Sequence, residues 1–207
     1  KEIYRRFLSC SSITMDSRDV PDQSLFFALK GENFNGNRFA EEAIRKGAQY
    51  VLVDEAKYAL DARYILVDDV LSTMQQLATH HRDHLDVNVF GITGSNGKTT
   101  TKEIITQILA KKYHTISTQK NYNNHIGVPF TLLKMNTSHQ VAVIEMGANH
   151  PGEIRFLCEL ARPDFGMITN IGKAHLEGFG SFEGVIRTKN EMYEYIDARN
   201  GTLFYNS

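Results

Sequence analysis

Val89-Phe90-Gly91-Ile92-Thr93-Gly94-Ser95-Asn96-Gly97-Lys98-Thr99-Thr100 is the stretch that decides the architecture. Val89 to Thr93 reads as a strand, the glycines make a turn, and a helix is expected from Lys98 to about Lys112. Strand, glycine-rich turn and helix in that order are what a phosphate cradle requires. The glycines let backbone N–H groups turn inward toward phosphate oxygens, and the helix N-terminus adds positive potential. Lys98 supplies a mobile charge for the terminal phosphates, and the Thr99 hydroxyl suits a Mg²⁺ ligand. A strict phosphate-loop consensus wants glycine where Ile92 stands; here the glycines fall at Gly91 and Gly94. The competing explanation is a chance Gly-Lys-Thr turn, and the order of the flanking elements favours nucleotide binding.

Outward from this loop the chain alternates short apolar runs with amphipathic stretches, the pattern of an α/β protein. Downstream, Val141 to Ile144 and Phe165 to Thr169 read as buried strands. Gly152 to Arg162 reads as a helix closed by Pro163, and Phe182 to Ile196 as the last helix. Upstream, strands are expected at Leu25 to Leu29, Tyr50 to Val53 and Tyr64 to Val67. Arg38 to Lys46 is expected to be helical, with Phe39, Ala43 and Ile44 on one face and Gly47 as the stop. A second helix, Val70 to His84, aligns Met74, Leu77, Ala78 and His81. The polar stretch Asp83 to Asn88 marks the expected boundary between domains at 1–86 and 87–207. The expectation is a small N-terminal α/β domain followed by a phosphate-loop domain with a mostly parallel sheet.

Bulk properties narrow the classes. The chain has 207 residues, 42% of them hydrophobic and 23% charged, as in ordinary globular proteins. A formal net charge of -1 gives no global attraction to nucleic acid or to an anionic membrane, so an anion site must be built locally. Cys10 and Cys158 have neither metal-type nor redox-type spacing, which makes a reducing compartment the default. No apolar run approaches a membrane span and no signal segment is visible, so a cytoplasmic location is expected. The Asn136-Thr137-Ser138 sequon carries no meaning there. Lys1 at the start and Leu203-Phe204-Tyr205 near the end give both termini a cut appearance.

Three side chains beyond the loop are candidates. Glu145 follows the strand Val141 to Ile144, where a parallel sheet brings strand ends to the phosphate edge. It can ligate Mg²⁺ there, or it is a capping or solvated glutamate. His175, just past another strand, is a second metal ligand or a polar loop residue, the two readings being even. Lys189, on the last helix, reads from the residues alone as solvated. His80, His81 and His84 lack the glutamate of a zinc-protease motif, and two of the three are expected to face solvent on an amphipathic helix.

Taken together, the motifs resemble the Mur ligase family over nearly the whole chain. Asp16-Ser17-Arg18 and Leu25-Phe26-Phe27-Ala28-Leu29-Lys30-Gly31 look like its UDP-sugar domain. Gly94 to Thr100 is similar to its own phosphate loop, which accounts for the displaced glycine. Asn121-Tyr122-Asn123-Asn124-His125-Ile126-Gly127-Val128-Pro129 and Glu145-Met146-Gly147-Ala148-Asn149 follow in the family's order. Asn123-Asn124 and His175-Leu176-Glu177-Gly178-Phe179-Gly180-Ser181 resemble the branch that joins D-alanyl-D-alanine to UDP-MurNAc-tripeptide. The branch adding the third peptide residue is expected to carry an Asp-Tyr-His type sequence after that histidine. Asn35-Gly36-Asn37 stands where the family has Asp-Gly-His, a departure at one expected sugar-nucleotide contact.

The resemblance implies ATP at Gly94, Ser95, Asn96, Gly97, Lys98, Thr99 and Thr100. It implies Mg²⁺ held by Thr99 and Glu145, and a second Mg²⁺ near His175 and Lys189, with Lys189 carbamylated by CO₂. Such a modification turns a cation that would repel Mg²⁺ into an anion. Lys98, Lys189 and His175 become the candidate catalytic residues, and Ser17, Arg18, Lys30, Asn35, Asn123 and Asn124 the candidate substrate contacts. The implied chemistry starts with attack of the tripeptide's terminal carboxylate on the γ-phosphate of ATP. The resulting acyl phosphate is displaced by the amine of D-alanyl-D-alanine. The resemblance further implies a monomer without nucleic-acid partners. It implies a longer parent with a third domain, so that this chain binds without turning over. The alternatives are the third-residue ligase, a folylpolyglutamate synthase and a non-catalytic nucleotide-binding module.

Overall fold

A computed structural model of the chain describes residues 1–172 and 176–205, at Leu176 the backbone only. It divides into two compact units, Lys1–Leu77 and a second that begins at Ala78.

The first unit contains α1 (Glu2–Leu8), β1 (Ser12–Thr14), β2 (Ser24–Phe27), β3 (Lys30–Gly31), β4 (Phe34–Asn35), α2 (Ala40–Arg45), β5 (Tyr50–Val53) and β6 (Tyr64–Leu66). Four strands form a wholly parallel sheet in the order β1-β2-β5-β6. Every residue of β2 is buried, and Leu25, Phe26 and Phe27 give it the apolar character of a strand covered on both faces of a parallel sheet. Phe26, Val51, Val53 and Tyr64 pack with Ala40 and Ala43 in one cluster. The helix expected from Arg38 begins instead as a 3₁₀ turn, Gly36–Phe39, because the Asn35 side chain accepts from the Asn37 N–H and tightens the entry.

Helix α3 (Val70–Asp83) contains the division between the units. The second unit continues with β7 (Asn88–Thr93), α4 (Lys98–Leu109), β8 (Thr115–Ser117), α5 (Gly127–Leu132), β9 (Val141–Glu145), α6 (Glu153–Ala161), β10 (Phe165–Ile168), α7 (Leu176–Phe179), α8 (Phe182–Asp197) and β11 (Thr202–Phe204). Its five strands are all parallel, in the order β11-β10-β7-β9-β8. With β7 at the centre, the segments leaving β7, β9 and β10 open on one edge of the sheet. The expected α/β class with parallel sheets is the one found.

Close packing sets the place of α8. Gly91 of β7 and Gly166 of β10 are register partners. A Cβ on Gly166 would collide with Ile196, and one on Gly91 would press on Pro163 at 3.2 Å and touch Met192 at 3.4 Å. The two glycines thus form a trough for one face of α8. The helix returns antiparallel to the strands, so Lys189, one turn before Met192, lies toward the phosphate edge.

On α3 the expected inner face holds: Met74, Leu77, Ala78 and His81 are buried, while His80 and His84 are exposed. Among the described residues no group of three or more His, Cys, Asp or Glu could hold a metal ion. The His81 ring Nε2 lies 2.8 Å from the Met135 carbonyl. Burial pushes this imidazole's pKa below its ordinary value, with the Met135 carbonyl opposing and His84 and His80 adding to the decrease. The unfolded chain therefore binds the proton more readily. Stability present above the ordinary histidine value near 6.5 is lost as pH falls toward the lower folded value. We expect a lower urea midpoint at pH 5.5 than at pH 7.5, and a smaller difference in His81→Gln. An unchanged difference in the variant would remove His81 from the account.

Candidate functional site

The phosphate loop is braced from β10. Asn170, past the end of that strand, accepts from Ser95 N–H through its carbonyl (3.0 Å) and from Asn96 N–H through its side chain (2.9 Å). The Thr169 hydroxyl donates to the Asn96 carbonyl at 2.6 Å, and the Ser95 hydroxyl donates to the Gly172 carbonyl at 3.1 Å. Gly94 has φ +143°, and a Cβ there would collide with the Thr169 hydroxyl. Gly97 takes up φ +77° before the first turn of α4, which begins at Lys98.

Lys98 reaches back along its loop, donating to the Gly94 carbonyl at 2.7 Å and to the Ser95 carbonyl at 3.2 Å. Burial lowers its pKa, and the charge of Glu145 acts in the opposite direction. Glu145 is the last residue of β9 and is buried. Its two oxygens have separate donors: Thr99 gives its hydroxyl to Oε2 at 2.9 Å, and Asn123 gives its amide to Oε1 at 2.8 Å. The carboxylate is oriented from α4 on one side and from the loop before α5 on the other. Thr100 follows in the first turn of α4 and is exposed.

Beside the loop opens a cavity of about 710 Å³. Gly94, Ser95 and Lys98 line it together with Asn123, Asn124 and Lys189. The structure thus brings Lys98, Lys189, Asn123 and Asn124 onto one cavity, with Thr99 and Glu145 joined to it through Asn123. The Asn124 side chain accepts from the N–H groups of Ile126 and Gly127 (3.1 and 2.9 Å), which shapes the entry into α5. His175 lies outside the described residues.

Lys189 is only 3% exposed, against the solvated lysine that the residues alone suggest. Its ammonium stands 5.5 Å from the centre of the Phe179 ring. Burial and then the charge of Lys98 lower its pKa to about 8, with Glu191 and Glu153 opposing. Glu191 also accepts from Gly152 N–H and Arg155 N–H, both at 2.8 Å, and so ties α8 to the start of α6. No periodicity or motif singled out Glu191, Asn170 or the buried Lys102; their roles come from partners distant in sequence.

In the first unit the candidates follow adjacent strand ends. Arg18 pairs with Asp16 through two contacts, 2.9 and 2.7 Å, on an exposed turn after β1. The Arg18 guanidinium draws the Asp16 carboxyl down to about 2. The Ser17 carbonyl accepts from Lys46 at 2.7 Å. Past β2, Lys30 pairs with the buried Asp54 carboxylate at 3.1 Å. Asn35 donates to Glu55 at 2.6 Å, an arrangement that an aspartate at that position would oppose by repulsion. Asn37, completely buried, donates to Asp54 at 2.8 Å.

Residues 92–207 match the Mur ligase middle domain, and residues 9–82 match the domain described as Mur ligase family, catalytic domain. Among curated relatives, the UDP-N-acetylmuramoyl-tripeptide–D-alanyl-D-alanine ligase of Bacillus subtilis (strain 168) is 42% identical over 195 residues. That alignment covers 93% of this chain and 42% of the relative. The chain spans less than half the length of the curated relatives it matches. Among solved structures, a MurF from Acinetobacter baumannii superposes with a TM-score of 0.82 at 38% identity, over 90% of this chain and 41% of that one. A MurF ligase from Thermotoga maritima in complex with ADP gives 0.81 at 35% identity, over 91% and 44%. Among the described residues no helix is long and apolar enough to cross a membrane. With the phosphate loop, Glu145 and the Asn123 loop assembled on one sheet edge, and the middle domain matched over residues 92–207, the chain belongs to the Mur ligase family.

Proposed function

We propose that the chain carries the UDP-sugar unit and the ATP unit of a ligase that joins D-alanyl-D-alanine to UDP-MurNAc-tripeptide. One observation carries the reading: Lys98 of a phosphate loop and the buried Lys189 face one cavity, beside a glutamate whose two oxygens are both fixed. The similarity to ligases of that name supports the substrate pair. The ADP in the Thermotoga maritima relative supports ATP at Gly94 to Thr100.

The residues present fit a first Mg²⁺. The Thr99 hydroxyl and the Glu145 carboxylate are hard oxygen donors already within 2.9 Å of each other, the chemistry that Mg²⁺ takes. Bound there, the ion would neutralise charge on the phosphates. Lys98 would hold the terminal phosphates by charge, and the cavity would align the peptide carboxylate. A second Mg²⁺ would depend on Lys189 as a carbamate and on His175. The lowered pKa of Lys189 leaves part of its amine neutral near pH 7.5, the form that adds to CO₂ with loss of a proton. In the first unit, Ser17, Arg18, Lys30 and Asn35 would contact the sugar nucleotide.

Calorimetric titration of the chain with UDP-MurNAc-tripeptide, and with UDP-MurNAc-dipeptide as control, tests the reading. Tighter binding of the tripeptide is expected. Preference for the dipeptide would move the chain to the ligase that adds the third residue. Binding of neither, with ATP still bound, would refute UDP-sugar binding by this chain on its own.

A further inference from the structure

Lys102 is the least expected cation in the second unit. It sits on α4 one turn after Thr99, on the same side of the helix, and its residue surface is 1% exposed. A lysine is almost never buried to this degree unless its ammonium is given partners. Two are in place: Nζ donates to the Thr118 carbonyl at 2.7 Å and pairs with the Glu103 carboxylate at 2.7 Å.

Thr118 connects this ammonium to the acid. It lies one residue past β8 and is itself buried, and its N–H donates to the Val143 carbonyl at 3.0 Å. Its hydroxyl accepts from the Glu145 N–H at 3.0 Å. The segment leaving Thr118 carries Asn123, whose amide holds Glu145 Oε1. The same helix that gives the Thr99 hydroxyl to Oε2 therefore also anchors, through Lys102, the segment that supplies the donor to Oε1.

We propose that Lys102 is a positioning residue for Glu145, locking the phosphate-loop helix to Thr118 so that the carboxylate is presented to a divalent cation with both oxygens fixed. This rests on the Thr99–Glu145 pair being the cation site of the function proposed above. Lys102 touches neither nucleotide nor metal. Its loss frees the Thr118 carbonyl and loosens the Asn123 segment, while Lys98 and the backbone of the loop stay as they are.

The test uses the full chain, ADP and Mn²⁺, a paramagnetic ion with the same taste for oxygen ligands as Mg²⁺. ADP affinity is measured without metal, and Mn²⁺ affinity is measured on the ADP complex by electron paramagnetic resonance. Lys102→Met is expected to weaken Mn²⁺ by about 10- to 100-fold, as loss of outer support for a metal ligand does, with metal-free ADP binding nearly unchanged. Lys102→Gln, whose shorter side chain cannot reach the Thr118 carbonyl, is expected to give the same split and decides the matter if Lys102→Met does not fold. Folded variants that hold Mn²⁺ as the wild type does overturn the role of Lys102 alone. A wild-type chain that binds ADP but no Mn²⁺ overturns the cation site and the role of Lys102 with it.

Discussion

Lys98→Ala is expected to lower turnover in the proposed ligase reaction by about 10²–10³-fold, a few kcal/mol of transition-state stabilisation. The side chain is already drawn over its loop by the Gly94 and Ser95 carbonyls, with the charge of Glu145 nearby. A half-buried ammonium acts at lower effective dielectric than a solvated one, so its attraction for phosphate is stronger. Alanine leaves the glycine turn and the α4 N-terminus in place, so nucleotide binding weakens while the fold survives. Steady-state rates in the complete ligase and ADP titration of this chain check the two halves. Full turnover in Lys98→Ala would refute the role.

Gly127→Ala is expected to destabilise the second unit by about 3 kcal/mol. A methyl group at this position would land on the Cα and carbonyl carbon of Tyr122. Backbone atoms cannot step aside as a flexible side chain does. Relief by moving α5 is blocked, because all six of its residues are buried. The same clash would displace Asn123 and Asn124, since the Asn124 side chain accepts from the Gly127 N–H. Urea unfolding monitored by circular dichroism measures the loss, and a variant within about 1 kcal/mol of the wild type would show that the loop yields more readily than its contacts imply.

Legibility in the sequence followed the length and one-sidedness of each element. Val141 to Ile144 and Tyr50 to Val53 are uninterrupted apolar runs, and both are strands within a residue of the expected ends. β8 has only three residues, all partly exposed, too few for a period to register. α5 is buried on every side and its N-cap residue, Ile126, offers no side-chain cap, so it shows neither an amphipathic stripe nor a capping signal. The phosphate loop was legible because glycine, lysine and threonine act there through local backbone geometry. Lys102 and Glu191 were not, because a charged residue on a helix is ordinarily solvated, and Lys189 was marked by the family resemblance alone. What makes them otherwise is Thr118, the Gly91–Gly166 trough and the start of α6, all distant in sequence. Asn123 stood between these cases: its place in the Asn121 to Pro129 motif marked it, but its bond to Glu145 needed the folded sheet.

The bracing of the phosphate loop by Thr169 and Asn170 bears on how fast a ligand can be captured. A floppy glycine loop must be ordered at each encounter, which costs about 1–2 kcal/mol of entropy per residue fixed. Here that ordering is completed during folding, by hydrogen bonds from a neighbouring strand end. In the proposed function, capture of a nucleotide by the second unit would then be governed by diffusion and charge steering, and residence time by how tightly the phosphates are gripped.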